Sequence, residues 1–204
     1  MKKLFAVIIL TLAALSGSYS QQFPSDLWHE GKLVLANEEV YEGLLKYDLE
    51  RGIVQVEQGE KVFTFSAQSI FYFKIYDVTV EANREFYVLP YGLVSNYKAP
   101  VIFEVLVEGN ISLLCREHIS SKSVTAANPY MYNTPTYQRE VLVYDYYFLD
   151  RKGNITPYNL KKRELMQAVA QRQTQVSDYI KKNRLKFDRR TDIIRIIAFY
   201  NALI

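Results

Sequence analysis

Between Gly31 and Tyr158 the chain repeats short runs of β-branched and aromatic residues, each closed by Asn, Asp or Gly, and this period of two dictates an antiparallel all-β body. Strands are expected near Lys32–Leu35, Val40–Tyr47, Ile53–Glu57, Lys61–Phe65, Ile70–Tyr76, Glu85–Leu89, Val101–Glu108, Ile111–His118 and Glu140–Leu149. In Val101–Val107 the odd positions are apolar and share one face, while Ile102, Glu104 and Leu106 share the other, the signature of a central strand. Gly109-Asn110 is expected to join that strand to the next as a two-residue hairpin loop.

After Tyr158 the period changes to that of a helix. Asn159 is placed to cap a helix from Leu160, and Leu165, Val169, Val176 and Ile180 form its stripe, interrupted by Arg172. One long helix or two shorter ones fit. Thr191 is expected to cap a last helix whose face carries Ile193, Ile197, Tyr200 and Ile204. Strands followed by helices define an α+β protein: an antiparallel β-rich body (sandwich or rolled sheet) over residues 21–158, with a C-terminal helical segment over 159–204 packed on it.

Residues 1–20 have the layout of a secretory signal peptide. Lys2 and Lys3 precede an apolar run from Leu4 to Leu15, and residues that are small apart from Tyr19 follow up to a cut expected after Ser20. That run is 12 residues, against about 20 for a bilayer-spanning helix, so the expectation is cleavage and no remaining transmembrane span. An uncut N-terminal anchor is the alternative. No cysteine lies near the cut to accept a lipid.

The charge is divided along the chain. Residues 21–150 carry a net −8 and residues 151–204 a net +9. Either the basic tail docks on the acidic body, which is the reading the exported location favours, or it meets an anionic partner; export argues against nucleic acid. Cys115 is the sole cysteine, which excludes an intramolecular disulfide, and alternation places it beside Ile111 and Leu113 as a buried, inert thiol.

The sequence offers no catalytic, cofactor-binding or metal-ligating constellation. His29 and His118 stand alone, and the phosphate-loop, dinucleotide and nucleophile-elbow motifs are all missing. Glu104, Asp145 and Asp150 are carboxylates that spacing does not select as a pair. Asp150 to Asn154 is read as a hairpin turn and not a calcium loop, since Lys152 stands where a ligand oxygen belongs. The sequons at Asn110 and Asn154 are read as turns. Between Ile119 and Gln138 the alternation lapses, and the irregular segment carries Tyr130, Met131, Tyr132 and Tyr137. These four are the candidate contact loop; the alternative has them folded back on the sheet.

Phe65-Ser66-Ala67-Gln68-Ser69-Ile70, Phe86-Tyr87-Val88-Leu89-Pro90-Tyr91, Phe103 to Gly109 running into Leu113 to Glu117, and Ile197 to Leu203 resemble a family of exported, uncharacterised proteins of Bacteroidota. The resemblance covers most of the chain after the leader and implies export and architecture, with no established activity. Cys115 stands where a small residue such as Ser is expected.

The leading expectation is a non-catalytic protein of the cell envelope, periplasmic or surface-associated, that binds an envelope protein or glycan through a sheet face or the Tyr130–Tyr137 loop. The alternative is a hydrolase of envelope polymers working through an unrecognised carboxylate pair. A third has the basic helices lying on a membrane, which requires Ile193, Ile197 and Tyr200 to be free of the strands.

Overall fold

The structure, a computed structural model, describes residues 22–92, 97–125 and 136–204. The leader expected over residues 1–20, and Tyr130, Met131 and Tyr132, lie outside the described residues. Ten strands follow one another: β1 (His29–Leu35), β2 (Val40–Asp48), β3 (Ile53–Gln58), β4 (Lys61–Ser66), β5 (Ile70–Asp77), β6 (Ala82–Tyr91), β7 (Ala99–Val107), β8 (Ile111–Thr125), β9 (Thr136–Asp150) and β10 (Ile155–Tyr158). They form one antiparallel sheet in the order β10-β9-β8-β7-β6-β5-β1-β2-β3-β4. Three helices come last, α1 (Lys162–Ala168), α2 (Gln173–Asn183) and α3 (Arg190–Ala202).

The sheet rolls. Tyr47 on β2 touches Glu117 on β8, although five steps of the strand order separate them. Part of the bend is built at Gly31 of β1, opposite Gly43 of β2, where a β-carbon would collide with the Lys74 carbonyl of β5. Of the two arrangements open to the sequence, sandwich or rolled sheet, the molecule takes the second.

Rolling gives the inner face two apolar cores. Leu33, Leu45, Tyr47, Val54, Phe73, Phe86 and Ile102 fill the first. Leu113, Cys115, Tyr146 and Phe148 form the floor of the second, roofed by Leu165, Val176, Ile193, Ile197 and Tyr200 of the helices. The final helix is apolar on a broad face because that face is interior, and Ile193, Ile197 and Tyr200 are buried. This removes the free apolar face that the membrane-surface reading required. Among the described residues no helix is long and apolar enough to cross a membrane.

Several local expectations are corrected. Between β7 and β8 the loop is Glu108–Asn110, one residue longer than expected, and a bulge shifts the register between Val105 and Val107. The first helix begins at Lys162, because Leu160 has positive φ and the Glu164 carboxylate reaches back to accept the Asn159 backbone N–H at 2.7 Å. Asn159 is therefore not the cap. Thr191 lies inside α3, which starts at Arg190. A 3₁₀ turn at Ala170–Arg172, where Arg172 broke the stripe, divides α1 from α2.

Of the segment expected to be irregular over 119–138, the described residues, 119–125 and 136–138, are strand. β8 runs to Thr125 and β9 starts at Thr136, so the two form a long ribbon in which Tyr137 pairs with Val124. Ladder pairing to β7 stops at Glu104–Cys115, so β8 and β9 pair only with each other from Arg116 to Thr125.

Candidate functional site

β7 carries its inward residues from one core to the other: Ile102 belongs to the first, Leu106 packs on the second, and Glu104 stands between them. Around Glu104 lies a buried ionic seam. Arg84 of β6 uses all five of its donors there. Its Nε and Nη2 grip Glu104 at 3.0 and 2.9 Å, Nη2 also reaches Glu117 at 2.8 Å, and Nη1 reaches Asp77 and the Tyr47 hydroxyl, each at 2.9 Å. The guanidinium carbon lies 5.0 Å from the centre of the Phe86 ring. Arg190, from the first turn of α3, adds a second guanidinium, donating to Glu104 at 3.0 Å and to the Cys115 sulfur at 3.3 Å.

These contacts fix protonation. Burial pushes the Asp77 carboxyl up, but hydrogen bonds from Thr79 and Arg84 outweigh it and hold the group below the usual carboxylate range. Burial pushes the Tyr47 phenol far up, so it stays protonated and donates to Glu117 at 2.5 Å. Burial also raises the Cys115 thiol to about 12, against the opposing pull of Arg190, which makes it an unreactive group at neutral pH.

A cavity of about 450 Å³ opens beside the seam, lined by Lys46, Asp48, Arg51, Gln55 and His118, with Tyr47 and Glu117 in its wall. Both Glu117 oxygens are engaged, one by Tyr47 and one by Arg84. Both Glu104 oxygens are held by arginine as well. Acids clamped this way suit structure better than proton transfer. The three carboxylates named from the sequence are not brought together: Glu104 is in the seam, Asp145 lies 3.3 Å from His118 on the ribbon, and Asp150 accepts from Lys152 and Asn154 within the β9–β10 turn. His29 is a packing residue whose Nε2 donates to the Pro24 carbonyl at 2.7 Å.

Among the described residues no three His, Cys, Asp or Glu side chains are grouped to hold a metal ion. Of the four candidate contact-loop residues, Tyr137 alone is described, and it is 52% exposed on β9.

The outer face of the sheet presents a different feature. Register slips where β1 meets β5: Val34 pairs with Tyr72 and Leu35 with Ile70, so Phe71 has no partner. The bulge turns Phe71 outward, 55% exposed, against Tyr72 and its cross-strand neighbour Tyr87, which stack with centroids 5.5 Å apart. Tyr87 pairs in turn with Phe103 of β7, where Tyr91 and Tyr147 also gather. An aromatic strip thus crosses the outer face from an exposed end at Phe71 to a buried end at Phe103. Sequence reasoning missed both seam and strip. The visible hints of the seam are acids in inward rows of apolar residues, Asp77 after Phe73 and Ile75, Glu104 after Ile102, and Glu117 after Ile111, Leu113 and Cys115.

The class that emerges is a rolled antiparallel sheet with a helical roof, a neutralised ionic seam and an outward aromatic strip. Comparisons with protein-family models, with curated proteins and with solved structures gave no match.

Proposed function

We propose that this chain is an exported, non-catalytic protein of the cell envelope, periplasmic or surface-associated, that binds another envelope component, protein or glycan, through the outer face of its rolled sheet. Phe71 carries the reading. A bulge exposes a large apolar ring beside two stacked tyrosines, and such an aromatic group is what interface centres and sugar-stacking platforms use. The clamped carboxylates of the seam speak against the hydrolase alternative.

The test is capture from isolated envelope fractions by the mature protein and by a Phe71→Ser/Tyr87→Ser variant whose fold is checked by circular dichroism. A defined protein or glycan retained by the first and lost by the second is the expected result. Equal retention overturns the role of this face. Recovery of the native chain from the cytosol with Met1 still attached overturns export.

A further inference from the structure

The basic tail spends little of its charge on the acidic body. Among the described residues, Arg190–Glu104 is the one ion pair that joins residues 151–204 to the preceding part of the chain. Lys161, Lys162 and Arg163 are exposed at the start of α1 and Arg172 at the turn between α1 and α2, and none is in an ion pair among the described residues. The acid nearest in sequence, Glu164, is turned to Asn159, which donates to both of its oxygens.

Along α1 and up to the first residue of α2 lies a groove of about 450 Å³ lined by Lys162, Arg163, Met166, Gln167, Ala170 and Gln173. Its chemistry is mixed in a particular way. Two cations stand on its wall, two carboxamides offer both donors and acceptors, and exposed Ala170 with the edge of the largely buried Met166 supplies a small apolar floor. Cations match carboxylates, carboxamides match hydroxyls, and the apolar floor matches the carbon face of a pyranose ring. A bilayer surface would instead call for an apolar wedge, but the large apolar residues of this layer, Leu165, Met166, Val169, Val176, Ile193 and Ile197, are buried in the core.

We infer that this groove binds an acidic polysaccharide, with Lys162 and Arg163 on a sugar carboxylate and Gln167 and Gln173 on ring hydroxyls. The site lies on the helical layer, apart from the aromatic strip of the sheet, and stands or falls independently of it.

Titration of the mature protein with tetragalacturonate, followed by NMR or calorimetry, tests the inference against its fully methyl-esterified form. The acid is expected to bind and the ester not to. A Lys162→Gln/Arg163→Gln variant should lose about tenfold or more in affinity, since charge-assisted hydrogen bonds are the strong ones. Gln167→Ala/Gln173→Ala should weaken binding severalfold without changing its salt dependence, an effect that mere charge attraction does not produce. Lys181→Gln/Lys182→Gln, away from the groove, should bind as the parent does. The inference is overturned by no binding of the acid, by equal binding of the ester, by loss in the Lys181/Lys182 variant equal to that in the groove variant, or by indifference to the glutamine substitutions. Groove-dependent binding seen only with vesicles rich in phosphatidylglycerol, or only with duplex DNA, would overturn it in favour of those anions.

Discussion

Arg190 and Glu104 lie 86 positions apart in sequence and 3.0 Å apart in space, the charged tie between the helical roof and the sheet. Glu104 keeps both of its bonds to Arg84 whether or not Arg190 is present. Replacing Arg190 with Met, which removes its bond to Glu104 and the one to the Cys115 sulfur, should cost about 1.5–3 kcal/mol, the scale of a hydrogen bond to a charged group. Replacing Arg84 with Met is different in kind, because Asp77 and Glu117 lose their one arginine and Glu104 keeps only Arg190. About 3–5 kcal/mol is expected, the scale found when one partner of a buried pair is removed. Urea unfolding of the two variants measures both, and equal losses would refute the account of the seam.

The Asp77 carboxyl makes acid stability predictable in sign. Its folded-state pKa lies below the usual carboxylate range, so it stabilises the fold at pH values above the unfolded pKa of about 4. That contribution is lost as the pH falls from about 4 toward the lower folded-state value. An Asp77→Asn variant should be less stable than the parent at neutral pH and should show a flatter decline in acid. Unfolding midpoints measured across the acid range check this, and parallel declines would exclude Asp77 as a source.

The body was legible wherever one side of a strand faced the core and the other did not. Val101–Val107 alternates because Ile102 and Glu104 face inward while Val101 and Phe103 pack on the outer side. The outer parts of β8 and β9 were illegible for the converse reason. Ser121 to Val124 and Tyr137 to Glu140 pair only with each other, so neither face has a core beneath it to impose alternation. Phe71 gave no signal, since a bulge is a relation between two strands and leaves no composition mark on either. Asp77 and Glu117 fall in line with inward apolar residues, Phe73 and Ile75 for the one and Leu113 and Cys115 for the other, but nothing in either strand alone shows the Arg84 that pairs with them. These three meet Glu104 through the register of four adjacent strands, β5 to β8, and the roll adds Tyr47 from β2; neither relation is written in any one segment.

Cys115 is expected to report unfolding. Its thiol is buried beneath α3, with a pKa raised to about 12 by burial. A disulfide reagent at pH 8 should leave the native protein unmodified and label one thiol per chain once denaturant crosses the unfolding midpoint. The labelled fraction should follow the circular dichroism transition. Rapid stoichiometric labelling of the native protein would contradict the burial.

Gly109 and Asn201 form another tie between sheet and roof, and it is a tie of shape. Asn201 of α3 accepts from the Ile111 backbone N–H at 3.1 Å and donates to the Ile111 carbonyl at 2.9 Å and the Glu108 carbonyl at 3.3 Å. Its amide thus closes the β7–β8 loop from outside, and it sits so close that a β-carbon at position 109 would collide with the amide itself. Gly109→Ala should expel the side chain and cost about 1–3 kcal/mol, the penalty for leaving backbone polar groups of the loop unsatisfied. Asn201→Ala should cost a similar amount through the same lost bonds. If both act on one contact, the double variant must be less destabilised than the sum of the two, because after Asn201 is gone an alanine at 109 has nothing left to strike. Denaturant unfolding of the four proteins closes the cycle, and strict additivity would show that Gly109 is required for its own backbone and not for the approach of Asn201.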